Sequence, residues 1–207
     1  NESISGVFGL GPSLLTLDSA KSFVDNAASQ WSQPLMGIYF GPNPGQPNED
    51  TAAPGGGLTI GGTNSQYYKG DIEYKDAYGN GDQESWLLPL TAITVQGKSI
   101  SIPSFSVLST VIGKLYGNAN VDVSFAFGGS SWAISPRDIA VSDIAAPGIT
   151  SSQTCLGAIY SLGNGTTNYL LGDTFLRNVY TVLRVNSPYS FSVGFAQLAS
   201  ECDMLVL

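Results

Sequence analysis

The sequence contains no histidine. This absence excludes a Ser-His-Asp or Cys-His nucleophile, acid–base catalysis by imidazole and most zinc sites. Two cysteines cannot supply the four ligands of an all-cysteine zinc or iron–sulfur site. The glycine patterns that cradle nucleotide phosphates, Gly-x-Gly-x-x-Gly and Gly-x-x-x-x-Gly-Lys-Ser/Thr, do not occur either. We therefore expect no cofactor and no metal, and carboxylate chemistry is the catalytic class that remains.

Positive charge is also scarce. Eight basic residues against sixteen acidic ones give a net charge of −8. Because no basic cluster is present, nucleic acid and anionic membrane surfaces are poor partners. No apolar run approaches the ~18 residues of a membrane span, and no signal peptide opens the sequence, which we interpret as mature or processed material. At low pH the carboxylates become neutral and only the few basic side chains stay charged. Repulsion between positive charges is therefore limited, and the composition suits an acidic environment.

The residues that are abundant favour short strands joined by turns. Of the 207 residues, 43% are hydrophobic and 12% charged, with 25 glycines and 11 prolines. This composition predicts a mainly β protein with one substantial core. Apolar runs or alternation predict strands at 4–12, 35–40, 57–62, 70–74, 84–90, 93–95, 100–102, 121–127, 131–135, 155–160, 168–172, 180–185 and 191–196.

Two segments have the apolar spacing of a helix. The first is 19–31, with Asp18 or Ser19 as its N-cap. The second begins after Pro103, carries apolar residues through Leu115 and ends at Gly117. Hairpin turns are predicted at Asn80-Gly81, between strands 70–74 and 84–90, and at 96–98. We therefore expect two short helices in an otherwise β fold.

The cysteine count and the sequons favour a secreted protein. An even count in a charge-poor chain rich in serine, threonine and glycine predicts one disulfide between Cys155 and Cys202, and two buried free thiols are the alternative. By chain-entropy reasoning, a loop of that size contributes roughly 4 kcal/mol of stabilisation. The sequons at Asn1 and Asn164 permit N-glycans. We expect an extracellular location.

Four ordered motifs span almost the whole chain. They are Ile4 to Pro12, the run Gly-Leu-Thr-Ile-Gly-Gly at 57–62, the segment Asn168 to Arg184 that contains Leu-Leu-Gly-Asp-Thr-Phe-Leu-Arg, and Val-Gly-Phe-Ala at 193–196. Together they resemble segments of the pepsin-like aspartic peptidases, with Ser5 where that family usually has aspartate. The stretches 127–132 and 155–158 most resemble its basidiomycete, polyporopepsin-like branch.

The resemblance implies the C-terminal lobe of the acid-protease fold. Residues 1–207 would then form a single domain, in which 1–40 derive from the segment that crosses between the lobes. Such enzymes need one Asp-Thr/Ser-Gly loop from each lobe, and no aspartate of this chain lies in that context. Asp173 belongs to Leu-Gly-Asp-Thr, where we expect it to bond backbone donors of a turn. The second loop should follow strand 99–102, yet Ile102 is followed directly by Pro103.

Catalysis is therefore uncertain, and three hypotheses remain. The first is a secreted, non-catalytic derivative that binds a glycan or a polypeptide in the remaining half-cleft. The second is a processed or incompletely sequenced chain of an active secreted aspartic endopeptidase. The third is a storage, structural or immune-active surface protein. Homodimerisation would not restore the missing carboxylate pair, although a homodimer or an N-terminal-lobe chain could cover the apolar surface that a lost lobe exposes.

The first hypothesis has candidate ligand contacts, each with an alternative. Apolar residues on alternating strands are more often core than ligand contacts, and paired tyrosines beside a hairpin more often cover a sheet edge than stack on a ligand. The candidate half-cleft residues are Val7, Tyr67, Tyr68, Tyr160, Leu162 and Leu170.

Overall fold

The chain folds mainly as β-sheet, which confirms the prediction from composition. The computed structural model describes residues 8–12, 20–41, 55–78, 86–100, 102, 113–116, 121–143, 154–159 and 171–199. The strands are β1 (Leu35–Phe40), β2 (Gly56–Ile60), β3 (Tyr68–Asp76), β4 (Ala92–Val95), β5 (Lys98–Ile100), β6 (Gly113–Tyr116), β7 (Val123–Ala126), β8 (Ser131–Ile134), β9 (Ala140–Asp143), β10 (Thr154–Gly157), β11 (Tyr180–Ser187) and β12 (Ser190–Leu198). The helices are α1 (Phe23–Ala27), α2 (Pro136–Ile139) and α3 (Asp173–Leu176), and a 3₁₀ turn at Ala28–Gln30 extends α1.

The largest sheet has five strands in the order β2-β1-β11-β12-β3. Every pairing in it is antiparallel, with Gly37 opposite Val182 and Val193 opposite Lys75. Because β1 and β2 come early in the chain and β11 and β12 come late, distant segments meet at the centre of this sheet. The predicted strands 35–40, 180–185 and 191–196 are confirmed here.

Two smaller sheets accompany it. Four strands pair in the order β5-β4-β7-β8, and three pair as β6-β10-β9. The predicted turn at 96–98 is confirmed, since β4 and β5 form a hairpin with Gln96 at φ 50° and Gly97 at φ 72°. Positive φ at both central residues is the type I′ geometry that matches strand twist.

The core lies between the five-stranded and four-stranded sheets. Val123 and Phe125 on β7 are buried, while the intervening Ser124 is only partly so, as strand alternation requires. The Phe127 ring centroid lies 5.3 Å from that of Phe195 on β12. Phe175 of α3 is fully buried among these rings. Aromatic burial on this scale is a large favourable term in folding.

Helix α1 begins later than the sequence predicts. Its N-cap is Ser22, whose Oγ accepts a hydrogen bond from the Asp25 amide at 3.2 Å. The predicted caps Asp18 and Ser19 are therefore wrong, because Ser22 is an equally good cap and is followed directly by apolar residues. None of the helices in the described ranges is long and apolar enough to cross a membrane.

Two other predictions are wrong in part. Leu115 lies in β6 rather than in the predicted helix, because backbone pairing with β10 decides the structure of so short a segment. The rest of that predicted helix, residues 103–112, lies outside the described ranges. Trp86 to Leu90 is not a strand, and β3 pairs with β12 instead. The Tyr78 amide donates a hydrogen bond to the Leu87 carbonyl at 2.7 Å, between the expected hairpin arms. Pro89 lacks the N–H that a ladder needs.

Helices α2 and α3 were not predicted. Each spans only four residues, which is too short to show a periodic apolar pattern. The start of α3 coincides with Asp173, within the motif expected to be a strand and a turn. The predicted turn at Asn80-Gly81 lies outside the described residues.

Candidate functional site

Most of the predicted site residues lie outside the described residues. Cys155 is in β10, opposite Leu115, whereas Cys202 is not described, so the disulfide stays a prediction. The remaining predicted residues outside the described ranges are Asn1, Val7, Tyr160, Leu162, Asn164 and Leu170. Their ligand-binding or glycosylation roles therefore also stay predictions.

Tyr67 and Tyr68 are described, and each stacks on another tyrosine. The Tyr67 ring lies 4.4 Å from the Tyr39 ring at an interplanar angle of 7°. The Tyr68 ring lies 4.8 Å from the Tyr180 ring at 21°. Both side chains are half-buried. One face of each ring is thus covered within the protein, and a ligand would meet only the remaining parts.

These rings belong to a continuous aromatic layer on the five-stranded sheet. The layer, here called the tyrosine face, consists of Tyr39, Tyr67, Tyr68, Tyr74 and Tyr180. It covers the sheet face opposite the aromatic core. Where the tyrosine face covers it, this second face of the five-stranded sheet is therefore apolar and packed rather than solvated.

Tyr180 is the fixed centre of the tyrosine face. Its side chain is fully buried, and its hydroxyl accepts a hydrogen bond from the Asn64 amide at 2.9 Å. Gly37, on the neighbouring strand, leaves room for the phenol, since a Cβ there would meet the hydroxyl oxygen. Burial raises the pKa of the Tyr180 phenol above its usual 10.0. The phenol is therefore neutral across the physiological pH range.

Asp173, the aspartate of the family-like motif, is not placed for catalysis. Its side chain is 66% exposed, and its Oδ2 lies 4.0 Å from Arg177 Nη2, one helical turn away. The predicted bonds from Asp173 to backbone donors of the turn stay a prediction, since only the ion pair with Arg177 is seen for this carboxylate within the described ranges. At that exposure and distance an ion pair contributes little to stability, and a carboxylate that is 66% exposed lacks the burial typical of a catalytic acid.

Asp138 is the half-buried aspartate near it. Burial raises the pKa of this carboxyl, and a hydrogen bond from Asn178 partly offsets that shift. Asp138 Oδ2 accepts from Asn178 Nδ2 at 2.9 Å, and the same Nδ2 donates to the Thr174 carbonyl at 2.9 Å. Asn178 Oδ1 accepts from the Ser135 amide at 2.8 Å. The carboxylate therefore joins α2 to α3.

A raised carboxyl pKa can mark a catalytic acid, yet Asp138 lacks the required partner. An acid-protease mechanism needs two close carboxylates that share one proton. The charged group that acts on Asp138 is the Arg177 guanidinium, which lowers its pKa. Within the described ranges, no group of three or more potential metal-ligating side chains occurs either. Asp138 can orient helices, but it does not by itself activate water.

Glu73 joins the two main sheets. Its carboxylate accepts from the Ser130 amide at 3.0 and 3.2 Å, in the turn between β7 and β8. Lys75 Nζ lies 3.1 Å from Glu73 Oε1 and donates to the Gly128 carbonyl at 2.9 Å. A Cβ at Gly129 in this turn would meet Glu73 Oε1, so a larger residue there would displace the Glu73 carboxylate. Hydrogen bonds from Ser130, with a smaller effect of Lys75, lower the pKa of the Glu73 carboxyl.

Replacing Glu73 with glutamine should reduce stability in a pH-dependent way. A lowered pKa stabilises the folded state above the ordinary value of 4.5, and this contribution is lost as pH falls through the folded-state pKa. We expect Glu73→Gln to cost about 1 kcal/mol at neutral pH and almost nothing in strong acid. Urea unfolding from neutral pH to below 4.5 measures the difference. Asp71→Asn, an exposed change on the same strand, is the matched control; equal pH profiles for the two variants would contradict this role.

A polar network at the far end of the tyrosine face was missed by the sequence analysis. Arg184 Nε donates to Asn186 Oδ1 at 2.9 Å, and the Arg184 guanidinium lies 3.9 Å from the Tyr74 ring centroid. Asn186 Nδ2 donates to the buried Ser192 Oγ at 2.7 Å, and Ser192 donates to Asp76 Oδ1 at 3.0 Å. The signal in the sequence is polar residues at alternate positions 184, 186, 190 and 192 of two strands that read as apolar.

Comparison with known proteins identifies one matching family and several similar proteins. The family described as eukaryotic aspartyl protease matches residues 1–112 and 115–198. The chain is 26% identical over 243 residues to major aspartyl peptidase 1 of Cryptococcus neoformans var. grubii, covering 94% of this chain and 47% of that protein. It is 27% identical over 225 residues to aspartic-type endopeptidase ctsD of Aspergillus fumigatus (93% and 44% covered). It is 25% identical over 223 residues to pepsin B of Canis lupus familiaris (92% and 54% covered). The chain spans about half the length of these relatives.

Proposed function

This chain belongs to the eukaryotic aspartyl protease family, and from that membership we propose that it is a secreted, non-catalytic derivative of the pepsin-type fold that binds a glycan or a polypeptide. The observation that carries the proposal is the sequence itself. It contains neither Asp-Thr-Gly nor Asp-Ser-Gly, although hydrolysis by this chemistry requires a pair of such aspartates.

The geometry of the described aspartates supports a non-catalytic role. Asp173 is largely exposed beside Arg177, and Asp138 is bonded to Asn178. Neither arrangement lets two carboxyl groups share a proton, which is the condition for activating a water molecule. The remaining function of such a lobe is binding. The tyrosine face and the predicted half-cleft offer it the aromatic and apolar surface that ligands require.

Secretion and the organisation of the chain are further parts of the proposal. The low charge content, the even number of cysteines and the sequon at Asn164 favour the extracellular space. The proposed organisation is a single C-terminal-lobe domain over 1–207, with 1–40 taken from the inter-lobe crossing; the family match over 1–112 and 115–198 supports one continuous family domain. A homodimer, or a companion chain that corresponds to the other lobe, would cover the exposed apolar side chains Phe8, Leu58 and Ile60.

A second candidate is that the sequence represents part of an active aspartic endopeptidase. The relatives it matches bear peptidase names. The alignment with the Cryptococcus peptidase extends over 243 residues, more than the 207 of this chain, so that relative has segments with no counterpart here. If the missing segments include both aspartate loops, the whole protein would be a peptidase.

Proteolysis at acidic pH separates the two candidates. We expect the purified chain to leave denatured casein intact, with pepsin as the positive control. Cleavage that a statyl transition-state mimic blocks would overturn the non-catalytic proposal and favour the second candidate. Intact mass and peptide mapping across Ile102 and Pro103, on protein from its natural source, then show whether a segment is missing between these residues. A peptide that contains both residues as neighbours supports a true deletion.

A further inference from the structure

Two tyrosines are exposed at the same end of the five-stranded sheet. Tyr189, in the turn between β11 and β12, is 79% exposed, and Tyr78, just beyond β3, is 47% exposed. The register brings them to one end, since Ser192 lies opposite Asp76 and the Ala77 amide donates to the Phe191 carbonyl at 2.9 Å. Tyr189 is the most exposed large apolar side chain of the described residues. Such exposed aromatic side chains mark interaction sites when polar groups surround them.

Tyr189 is also held in an unfavourable backbone conformation. Its φ is 68°, in the left-handed region where glycine is the usual residue. A bulky side chain gains nothing there from burial, because most of its surface is exposed. A strained and exposed aromatic residue is thus costly to the fold, which is the pattern of a residue kept for binding.

The polar network lies at the same end of the sheet as the two tyrosines, since Asp76 precedes Tyr78 by two residues and Asn186 precedes Tyr189 by three. Asp76 and Asn186 are exposed, and Arg184 is half-buried. The buried Ser192 holds both Asn186 and Asp76, at 2.7 and 3.0 Å, and Tyr74 supports the Arg184 guanidinium from below. These side chains are therefore ordered before any ligand arrives, which lowers the entropy lost on binding.

We propose that this end of the sheet is a binding site for a neutral oligosaccharide, formed by Asp76, Tyr78, Arg184, Asn186 and Tyr189. The inference rests on the proposed function, because it assigns a ligand class to the non-catalytic chain. Sugar hydroxyls both donate and accept hydrogen bonds. Arg184 supplies donors, and the Asp76 carboxylate and Asn186 Oδ1 supply acceptors. Exposed tyrosine rings pack against the apolar C–H face of a pyranose.

Charge argues for a neutral ligand. The site carries one basic and one acidic side chain, Arg184 and Asp76, and so has no excess of either sign. A phosphate or sulfate ligand is usually held by several arginine or lysine side chains, and the chain as a whole carries a net charge of −8. Exposed tyrosine rings with hydrogen-bonding groups of mixed type match a neutral saccharide better than they match an anionic one.

Replacing Tyr189 with glycine separates binding from folding. The full chain, produced without N-glycans, is tested on immobilised gluco-, manno-, galacto- and chito-oligosaccharides. We expect the wild-type protein to bind at least one of these neutral series and Tyr189→Gly to weaken that binding at least tenfold. The midpoint of thermal unfolding should stay the same or rise, because glycine adopts the left-handed backbone readily. Asn186→Ala should weaken binding similarly.

Gln96→Gly is the matched control. Gln96 is an exposed turn residue with a φ of 50°, on a different sheet. Its replacement should likewise leave the unfolding midpoint unchanged or higher, and it should leave oligosaccharide binding intact. Tyr67→Ala tests the alternative location on the tyrosine face and should affect binding less than Tyr189→Gly.

The possible results are decisive for the site and are independent of catalysis. No binding of wild type to any neutral oligosaccharide overturns the inference, whereas the casein assay alone judges the non-catalytic proposal. If the Tyr189→Gly variant still binds the oligosaccharide, the ligand binds elsewhere on the protein. The same conclusion follows if Tyr67→Ala abolishes binding instead. Binding only to sulfated oligosaccharides, or only to peptides on the same surface, overturns the assignment to a neutral saccharide.

Discussion

Replacing Phe175 with alanine is expected to lower the free energy of unfolding by about 3–5 kcal/mol. The side chain is fully buried in α3, and its ring centroid lies 5.9 Å from those of Phe125 and Phe127 and 5.4 Å from that of Phe195. Truncation removes the ring and leaves a cavity among side chains of both main sheets, which cannot collapse together without moving strands. Urea unfolding followed by tryptophan fluorescence measures the change.

Two variants bound the interpretation of this result. Phe175→Leu keeps most of the apolar volume and should cost less than about half as much. Phe23→Ala removes a phenylalanine that is 37% exposed and should cost about 1 kcal/mol or less. A loss below about 1 kcal/mol for Phe175→Ala would mean that the aromatic core does not depend on α3.

Replacing Gly37 with alanine is expected to destabilise the protein by about 3 kcal/mol. A Cβ at this position would lie 2.8 Å from Tyr180 Cζ and closer still to the hydroxyl oxygen. Tyr180 is fully buried and is bonded to the Asn64 amide, so neither side chain nor strand can yield cheaply. Thermal and urea unfolding of the variant give the loss directly.

A second substitution tests the cause of this loss. Removing the hydroxyl in Gly37→Ala/Tyr180→Phe relieves the closest contact, and it leaves the Asn64 amide without its acceptor, which costs about 1 kcal/mol. The double variant should therefore lose less than the sum of its single variants. Gly62→Ala is the control, since a Cβ there has open space. Strict additivity would show that the steric contact is not the cause.

Strong periodic patterns in the sequence were reliable guides to this fold. The apolar run at 35–40 predicts β1, which is buried on both faces of the sheet, and the alternation at 121–127 predicts β7, which has one face in the core. The prediction of a helix through Leu115 is wrong at that residue. The four residues of β6 are compatible with a helix or a strand, and only their pairing with β10 decides between the two. The predicted N-cap of α1 is wrong for a local reason, because several serine and aspartate residues near this position are equally good caps.

The candidate site was less accessible to sequence reasoning. The Tyr67-Tyr68 pair is visible in the sequence, yet its stacking partners Tyr39 and Tyr180 are supplied by β1 and β11. The bond between Ser192 and Asp76 joins residues 116 positions apart. Such contacts depend on the pairing of β3 with β12, and no local pattern encodes which strands become neighbours.

The pairing of early and late strands also has a consequence for the newly made chain. The strands β4, β5, β7 and β8 lie between residues 92 and 134 and can pair by local hairpins, whereas β1 waits for β11 and β12, which end at residue 198. At ~5–20 residues per second, the ribosome needs roughly 3 to 13 seconds to synthesise the stretch from the end of β8 to the end of β12. During that interval the apolar face of Phe125 and Phe127 has no Phe195 to cover it. Nascent chains should therefore depend on chaperones in this interval, and slow translation of the last strands would favour aggregation.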